Sequence, residues 1–377
     1  MTRSIGRKSA RVAGVALFCF WCVSCINVGQ ERAEYEKTIG QKTQGAISVN
    51  VQNGHGLVRV LEPGRMEMWA QAPTLSWTIT TDSSPSPWIV QVHNAMPDAK
   101  LYVNKLGESP QVFERGATEV PTRSTWSLDL APDTTYTMNL RTDDWDVTEG
   151  FRFVVYADVQ DKIGEVQDIY DAMKRDPAIR FGLISGDLTE QGAREELIRF
   201  QTEMQTLPFP CFASMGNHEL GNGETTFHEL FGRSNLSFSF KGTHFTLLDS
   251  ASANIAPQVY PQLKGWLEAG KDALHMVIMH IPPLDVSGVR NGAFASRAEA
   301  NKLLSMLANA GVDMTIYGHV HTFASYSNAG IPAYISGGGG AIPMRLDGIG
   351  RHYMKIDADV AQGAFVAAPI RVYPSDP

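Results

Sequence analysis

Cysteine is scarce: of four in 377 residues, three (Cys19, Cys22, Cys25) sit at the N-terminus, leaving Cys211 alone in the body. No internal disulfide can form there, and a thiolate-ligated metal site is excluded. Membrane-spanning length is missing from the apolar run Val12–Val23, because a bilayer helix takes about 20 residues. Basic charge is in deficit, 32 Lys and Arg against 40 Asp and Glu, for a net −8. A surface that coats a long nucleic acid needs the opposite balance, since phosphates are held by excess cations. What is present, 43% hydrophobic and 19% charged residues, describes a folded globular chain. Its length suits two domains.

The N-terminus reads as an export signal. Arg3, Arg7, Lys8 and Arg11 precede the apolar run, and Ser24-Cys25 follows it. A basic stretch, a short apolar stretch and a small residue at a cut site form a secretory signal over residues 1–24. Cys22-Val23-Ser24-Cys25 resembles a loose bacterial lipobox with Cys25 as the acylated residue. The expectation is an exported, periplasmic or cell-surface chain, in contact with membrane only through that anchor. Residues 25–44, polar and without periodicity, read as a tether.

Two textures follow. From 45 to 148, short alternating runs such as LSWTITT, PWIVQVHN and TYTMNL are separated by Pro, Gly, Asp and Ser, the pattern of an all-β sandwich. Leu128 to Leu140 resembles the tyrosine-corner stretch of fibronectin type III or Ig-like domains, with Tyr136 at the corner. From 149 to 377, apolar strand-like runs alternate with helical stripes: Ile163-Val166-Ile169-Met173, Ala193-Leu197-Phe200-Met204-Leu207 and Ala300-Leu303-Leu304-Leu307. This half is α/β.

Five apolar runs each end in residues able to bind metal: VVY before Ala157-Asp158-Val159-Gln160, LIS before Gly186-Asp187, ASM before Gly216-Asn217-His218-Glu219, VIM before His280, and TIY before Gly318-His319-Val320-His321. Residues just past the carboxyl ends of strands gather in one crevice, and the glycines let the backbone turn there. Oxygen and imidazole donors without thiolate suit Mn, Fe, Zn or Ni. Two carboxylates, an amide and three histidines crowd one ion; two ions sharing a carboxylate fit more easily.

These motifs, in this order, resemble the calcineurin-like metallophosphoesterase superfamily: Asp-x-His, Gly-Asp, Gly-Asn-His-Asp/Glu, a lone His, and Gly-His-x-His. The resemblance implies a β-sandwich of mixed sheets flanked by helices, here behind a β domain as in the purple acid phosphatases. It implies a binuclear centre of two divalent ions. Asp187 would bridge them, Asp158 and His321 would hold the first ion, and Asn217, His280 and His319 the second. His218 would be the non-ligand catalytic histidine, with Glu190 as its acidic partner. Gln160 stands where the family has His, so its amide oxygen would be a weaker ligand of the first ion. The purple enzymes have Tyr where Glu190 stands, so no purple iron(III) form is expected.

The implied reaction is hydrolysis of a phosphate mono- or diester by a metal-activated water, on a small-molecule or nucleotide substrate. The competing reading is a surface-binding lipoprotein with a degenerate site, on the strength of Gln160. Arg290, Arg345 and Arg351 are candidates for touching substrate phosphate, although a surface role is the plainer reading. The glycines of Ser336–Ala341 lack the Lys-Ser/Thr that a P-loop requires; the resemblance makes them a turn near the site.

Overall fold

A computed structural model of the chain describes residues 28–373, apart from 85, 117, 222–224, 290 and 345–347. The export signal, Cys25, Arg290 and Arg345 therefore lie outside the described residues. Among the described residues no helix is long and apolar enough to cross a membrane.

The N-terminal part is built of two sheets. One has six strands in the spatial order Gln41–Gln44, Ile47–Val51, Leu75–Thr80, Thr135–Arg141, Lys100–Lys105, Gln111–Phe113. The other has four: Gly56–Glu62, Arg65–Ala70, Trp88–His93, Ser124–Leu128. Alternation along each strand turns Trp77, Ile79, Trp88, Val90, Val92, Leu101 and Met138 into a shared interior. Tyr136 Oη accepts the backbone N–H of Ala131 at 2.8 Å, closing the turn five residues upstream. The hairpin Gly56–Glu62/Arg65–Ala70 is absent from the runs that the sequence pattern picks out. Its pairing shifts register between Val58 and Val60, which breaks the alternation.

The second half stacks a five-stranded sheet on a six-stranded one, with helices outside. The first runs Cys211–Ser214, Ile179–Ser185, Phe151–Tyr156, His352–Asp359, Ala364–Arg371. The second runs Leu236–Phe240, Thr243–Leu248, Leu274–Met279, Met314–Tyr317, Ile331–Ser336, Phe323–Asn328. Both sheets are mixed, and in each the strands that carry candidate site residues are parallel to one another. Phe153, Phe181 and Phe245 fill the space between the sheets, with ring centroids 5.2 to 5.6 Å apart. The three helical stripes become Gln167–Lys174, Arg194–Met204 and Arg297–Asn309.

The two halves share one continuous apolar core. Polar seams reinforce it. Asn94 pairs its amide with both backbone groups of Cys211, at 2.8 and 3.0 Å, covering an edge of the five-stranded sheet. His55 Nε2 meets Ser237 O at 2.8 Å. His228, His244, His275 and His352, read as structural, are buried. Burial pushes the lone Cys211 thiol up to about 12, which makes it unreactive.

The tether expected over residues 25–44 is corrected where the structure describes it. Gly29–Glu36 is an α-helix with Arg32 and Glu36 buried, and Gln41–Gln44 is the edge strand of the six-stranded N-terminal sheet. Sequence polarity misled here because the buried side chains are charged and their partners are far away in the chain.

Tyr136→Phe is expected to lower unfolding stability by about 1 kcal/mol, the net worth of one hydrogen bond. Urea denaturation of the full chain measures it.

Candidate metal centre

Strands from both sheets end at one crevice, and the site straddles it. Asp158 follows Phe151–Tyr156; Asp187 follows Ile179–Ser185; Asn217 and His218 follow Cys211–Ser214. From the other sheet, His280 follows Leu274–Met279, and His319 and His321 follow Met314–Tyr317. Three of these turns use left-handed backbone at residues other than glycine: Asp158 (φ 61°) and Gln160 (φ 50°) in one, Asp187 (φ 51°) and His319 (φ 69°) in the others. Such conformations cost energy and persist where surrounding contacts hold them, commonly at functional sites. Close approach also requires glycine: a Cβ on Gly216 would lie 2.1 Å from Asp187 Oδ1, and one on Gly337 would lie 2.4 Å from Asp158 Oδ2. Gly337 belongs to the 336–341 glycine run, which packs against Asp158, with Ala341 N donating to Asp158 O at 2.8 Å.

Two groups of potential ligands share one carboxylate. Asp187, His280 and His319 bring their ligand atoms within 4.8 Å of one another, and so do Asp158, Asp187 and His321. Asn217 Oδ1 lies 3.1 Å from His280 Nε2, which places it with the first of these groups. Gln160 joins the other, its Nε2 at 3.1 Å from Asp187 Oδ2 and 3.2 Å from His321 Nε2. A half-turn of the Gln160 amide presents its oxygen to the same two groups.

Each histidine of the cluster has one ring nitrogen committed to a backbone carbonyl: His280 Nδ1 to Ser185 O at 2.8 Å, His319 Nε2 to Asn291 O at 2.8 Å, and His321 Nδ1 to Ile342 O at 2.9 Å. This fixes the ring and leaves the other nitrogen to act as a ligand. The charges are unbalanced in a way that a cation would correct. Asp158 and Asp187 are 0% and 1% exposed, and Asp158 Oδ2 is buried without a hydrogen-bond partner. Burial, with Asp187 alongside, drives the Asp158 carboxyl well above the usual range. Against burial, His280 and His218 hold Asp187 well below it. His280 is pushed up to about 9, its own burial being outweighed by the two aspartates. Burial and the neighbouring His280 lower His319 to about 4, favouring the neutral, ligating ring. Donor types, the orphaned oxygen and the shared carboxylate fit two divalent cations.

His218 stands at the rim, half-buried. Its Nδ1 donates to the backbone oxygen of Glu190 at 2.6 Å, while the Glu190 carboxylate is 3.8 Å away. The partner expected in the Glu190 side chain is thus supplied mainly by the Glu190 backbone. Arg351 is taken up by Asp168, at 2.7 Å through both Nε and Nη2, and serves the scaffold.

One residue of the Gly216–Glu219 run has a role that the sequence pattern does not assign. Glu219, 2% exposed, accepts from the backbone N–H of Gly216 (2.8 Å), Asp187 (2.9 Å) and Thr189 (3.0 Å), and from Thr189 Oγ1 (3.0 Å). It ties the Gly-Asp loop to the Gly-Asn-His loop. Burial and the Asp187 charge raise it to about 7 against those N–H bonds. Its position beside His218 was the available signal.

The calcineurin-like phosphoesterase family profile matches residues 151–323, the span from the first of these strands to just past His321. Residues 151–323 belong to the calcineurin-like phosphoesterase family. Among solved structures, the chain is similar to PhoD (10% identity, 79% of this chain and 87% of that one, TM-score 0.48). It is also similar to a dimetal phosphatase from Danio rerio (14%, 58% and 98%, TM-score 0.46). A third likeness is to GAP50, the anchor in the inner membrane complex of Plasmodium (15%, 59% and 89%, TM-score 0.43). No curated protein matches the chain in sequence.

Glu219→Ala strips three buried N–H groups of their acceptor and is expected to cost roughly 3 kcal/mol or more. Chemical denaturation of wild type and variant compares them directly.

Proposed function

We infer that the chain is an exported metal-dependent phosphoesterase that hydrolyses small phosphate mono- or diesters, nucleotides included. The observation that carries this is the buried Asp187, shared by two ligand groups that meet in one crevice. Asp158, Gln160, Asp187 and His321 would hold one divalent ion, and Asp187, Asn217, His280 and His319 the other. Bound there, the ions supply Lewis acidity for activating water and for offsetting charge on the phosphate.

The chain's own residues supply positioning and a proton. His218 keeps Nδ1 on the Glu190 carbonyl, which leaves Nε2 turned to the cluster, 3.8 Å from Asp187 Oδ2. Burial works against its protonation, but the Asp187 charge and the Glu190 carbonyl raise it overall. A protonated Nε2–H at the mouth can donate to the leaving ester oxygen. Backbone bonds fix the attacking side: His319 N donates to Asp158 Oδ1 at 3.1 Å and His218 N to Asp187 Oδ1 at 3.0 Å, so both carboxylates keep a set orientation. The acidic body disfavours a long polyanion, whereas a small ester meets only the crevice. Export belongs to the same proposal; it rests on the sequence pattern of residues 1–24 and on the acylatable Cys25.

The full chain, stripped of metal and reloaded with Mn, Fe, Zn or Ni, is expected to hydrolyse a nitrophenyl phosphomonoester or its diester. His218→Ala is expected to reduce turnover by about 10²-fold. Absence of turnover with every metal and both esters would favour a binding protein with a degenerate site. Gln160→His is expected to tighten zinc at its position by about tenfold, or about 1.4 kcal/mol, as read by equilibrium dialysis.

A further inference from the structure

The helix Gly29–Glu36 has little apolar surface to bury, and among its residues only Arg32, Ala33 and Glu36 are buried. Arg32 and Glu36, one turn apart, share a face. Both point charges into the phosphoesterase part. Arg32 forks onto Asp249, Nε to Oδ2 at 2.8 Å and Nη2 to Oδ1 at 3.0 Å, and also reaches Ser252 Oγ at 3.1 Å. Glu36 Oε1 accepts from Ser234 N at 2.5 Å and Asn235 N at 3.2 Å, with His228 Nε2 3.3 Å away, and Oε2 accepts from Asn235 Nδ2 at 2.9 Å. Asn235 Oδ1 in turn accepts Asp249 N at 2.9 Å, which joins the two branches.

Each branch ends beside a candidate ligand. Next to Asp249, Ser250 Oγ accepts the N–H of Ile281 at 2.7 Å, the residue after His280. Ser234 Oγ accepts the N–H of Met215 at 2.9 Å, two residues before Asn217. Asn217 and His280 then touch, at 3.1 Å. The carboxylate and histidine of the other group, Asp158 and His321, are fixed through His319 N and Ile342 O, bonds that belong to neither branch.

We propose that the helix Gly29–Glu36 is a positioning element of the metal centre. Through Asp249–Ser250 and Ser234 it sets the loops that carry Asn217 and His280, and so acts directly on the second ion's site and on the first only at one remove, through the shared Asp187 and the Gly318 N–His280 O bond of 3.0 Å. The proposal rests on the two-ion reading above. It acts through bonds to loop backbone, so Arg32 and Glu36 are positioning residues and touch neither ion nor substrate. The pairing suits arginine: a lysine ammonium keeps the charge but loses the two-pronged grip on a carboxylate.

The test is a calorimetric titration of the metal-stripped full chain with Mn2+ alone, on wild type, Arg32→Lys, Ser250→Ala and Tyr136→Phe. Wild type is expected to take up two equivalents. Arg32→Lys and Ser250→Ala are expected to keep the wild-type circular dichroism and the first equivalent, and to weaken the second by tenfold or more. Tyr136→Phe, which loosens the N-terminal sandwich without touching either branch, is expected to leave both steps unchanged. Folded variants that bind both equivalents as wild type does would overturn the proposal, as would equal weakening by Tyr136→Phe. Should Arg32→Lys fail to fold, Ser250→Ala decides. A wild-type chain that binds no Mn2+ fails differently: it removes the two-ion reading itself, and this proposal with it.

Discussion

Two carboxylates with almost no access to water, Asp158 and Asp187, are the constraint to which the rest of the phosphoesterase part answers. Bringing two like charges together inside a protein is costly unless a cation or a ring of donors offsets them. Here the surroundings supply some of each. His280 lies 3.2 Å from Asp187, backbone N–H groups of His218 and His319 meet one oxygen of each carboxylate, and one oxygen of Asp158 is left without a partner. The protein alone leaves the balance incomplete, which is the physical signature of a site built around positive ions.

Holding that arrangement takes rigidity at several levels. The aspartates sit on left-handed turns at the ends of buried parallel strands, packed on glycines that cannot be enlarged without collision. Behind them Glu219 gathers three backbone N–H groups and a hydroxyl, so the two loops that meet at Asp187 are tied to one carboxylate. A buried acid would be a liability elsewhere. Here its bonds convert the turn into a fixed frame, and hydrogen bonds of this charge-assisted kind are stronger than neutral ones.

The same economy appears around the edges of the site. The His319 and His321 rings are held from behind by the backbone carbonyls of Asn291 and Ile342. The β-sandwich is fused to the phosphoesterase part through a common apolar core, and the N-terminal helix is locked on by buried charges rather than by an apolar stripe.

Much of this was legible in the residues. The order of the five motifs behind apolar runs picked out Asp158, Gln160, Asp187, Asn217, His280, His319 and His321, which the structure brings together, because strand periodicity and glycine turns are local signals. Tyr136, the three helical stripes and the α/β texture of the second half were legible for the same reason. Three features were not. The helix Gly29–Glu36 looked like a polar linker, since Arg32 finds Asp249 across 217 positions and no local pattern announces such a pair. Glu219 looked like any motif acid until its loop partners surrounded it. The hairpin at Gly56–Ala70 was hidden by a bulge. The sequence by itself determined which candidate ligands stand at which strand ends. Only the tertiary structure decided that two separate sheets present them to one crevice, and that the charges of Arg32 and Glu36 are buried against the strands behind it. Periodicity is written in neighbours, whereas a buried polar group is defined by whichever distant group satisfies it.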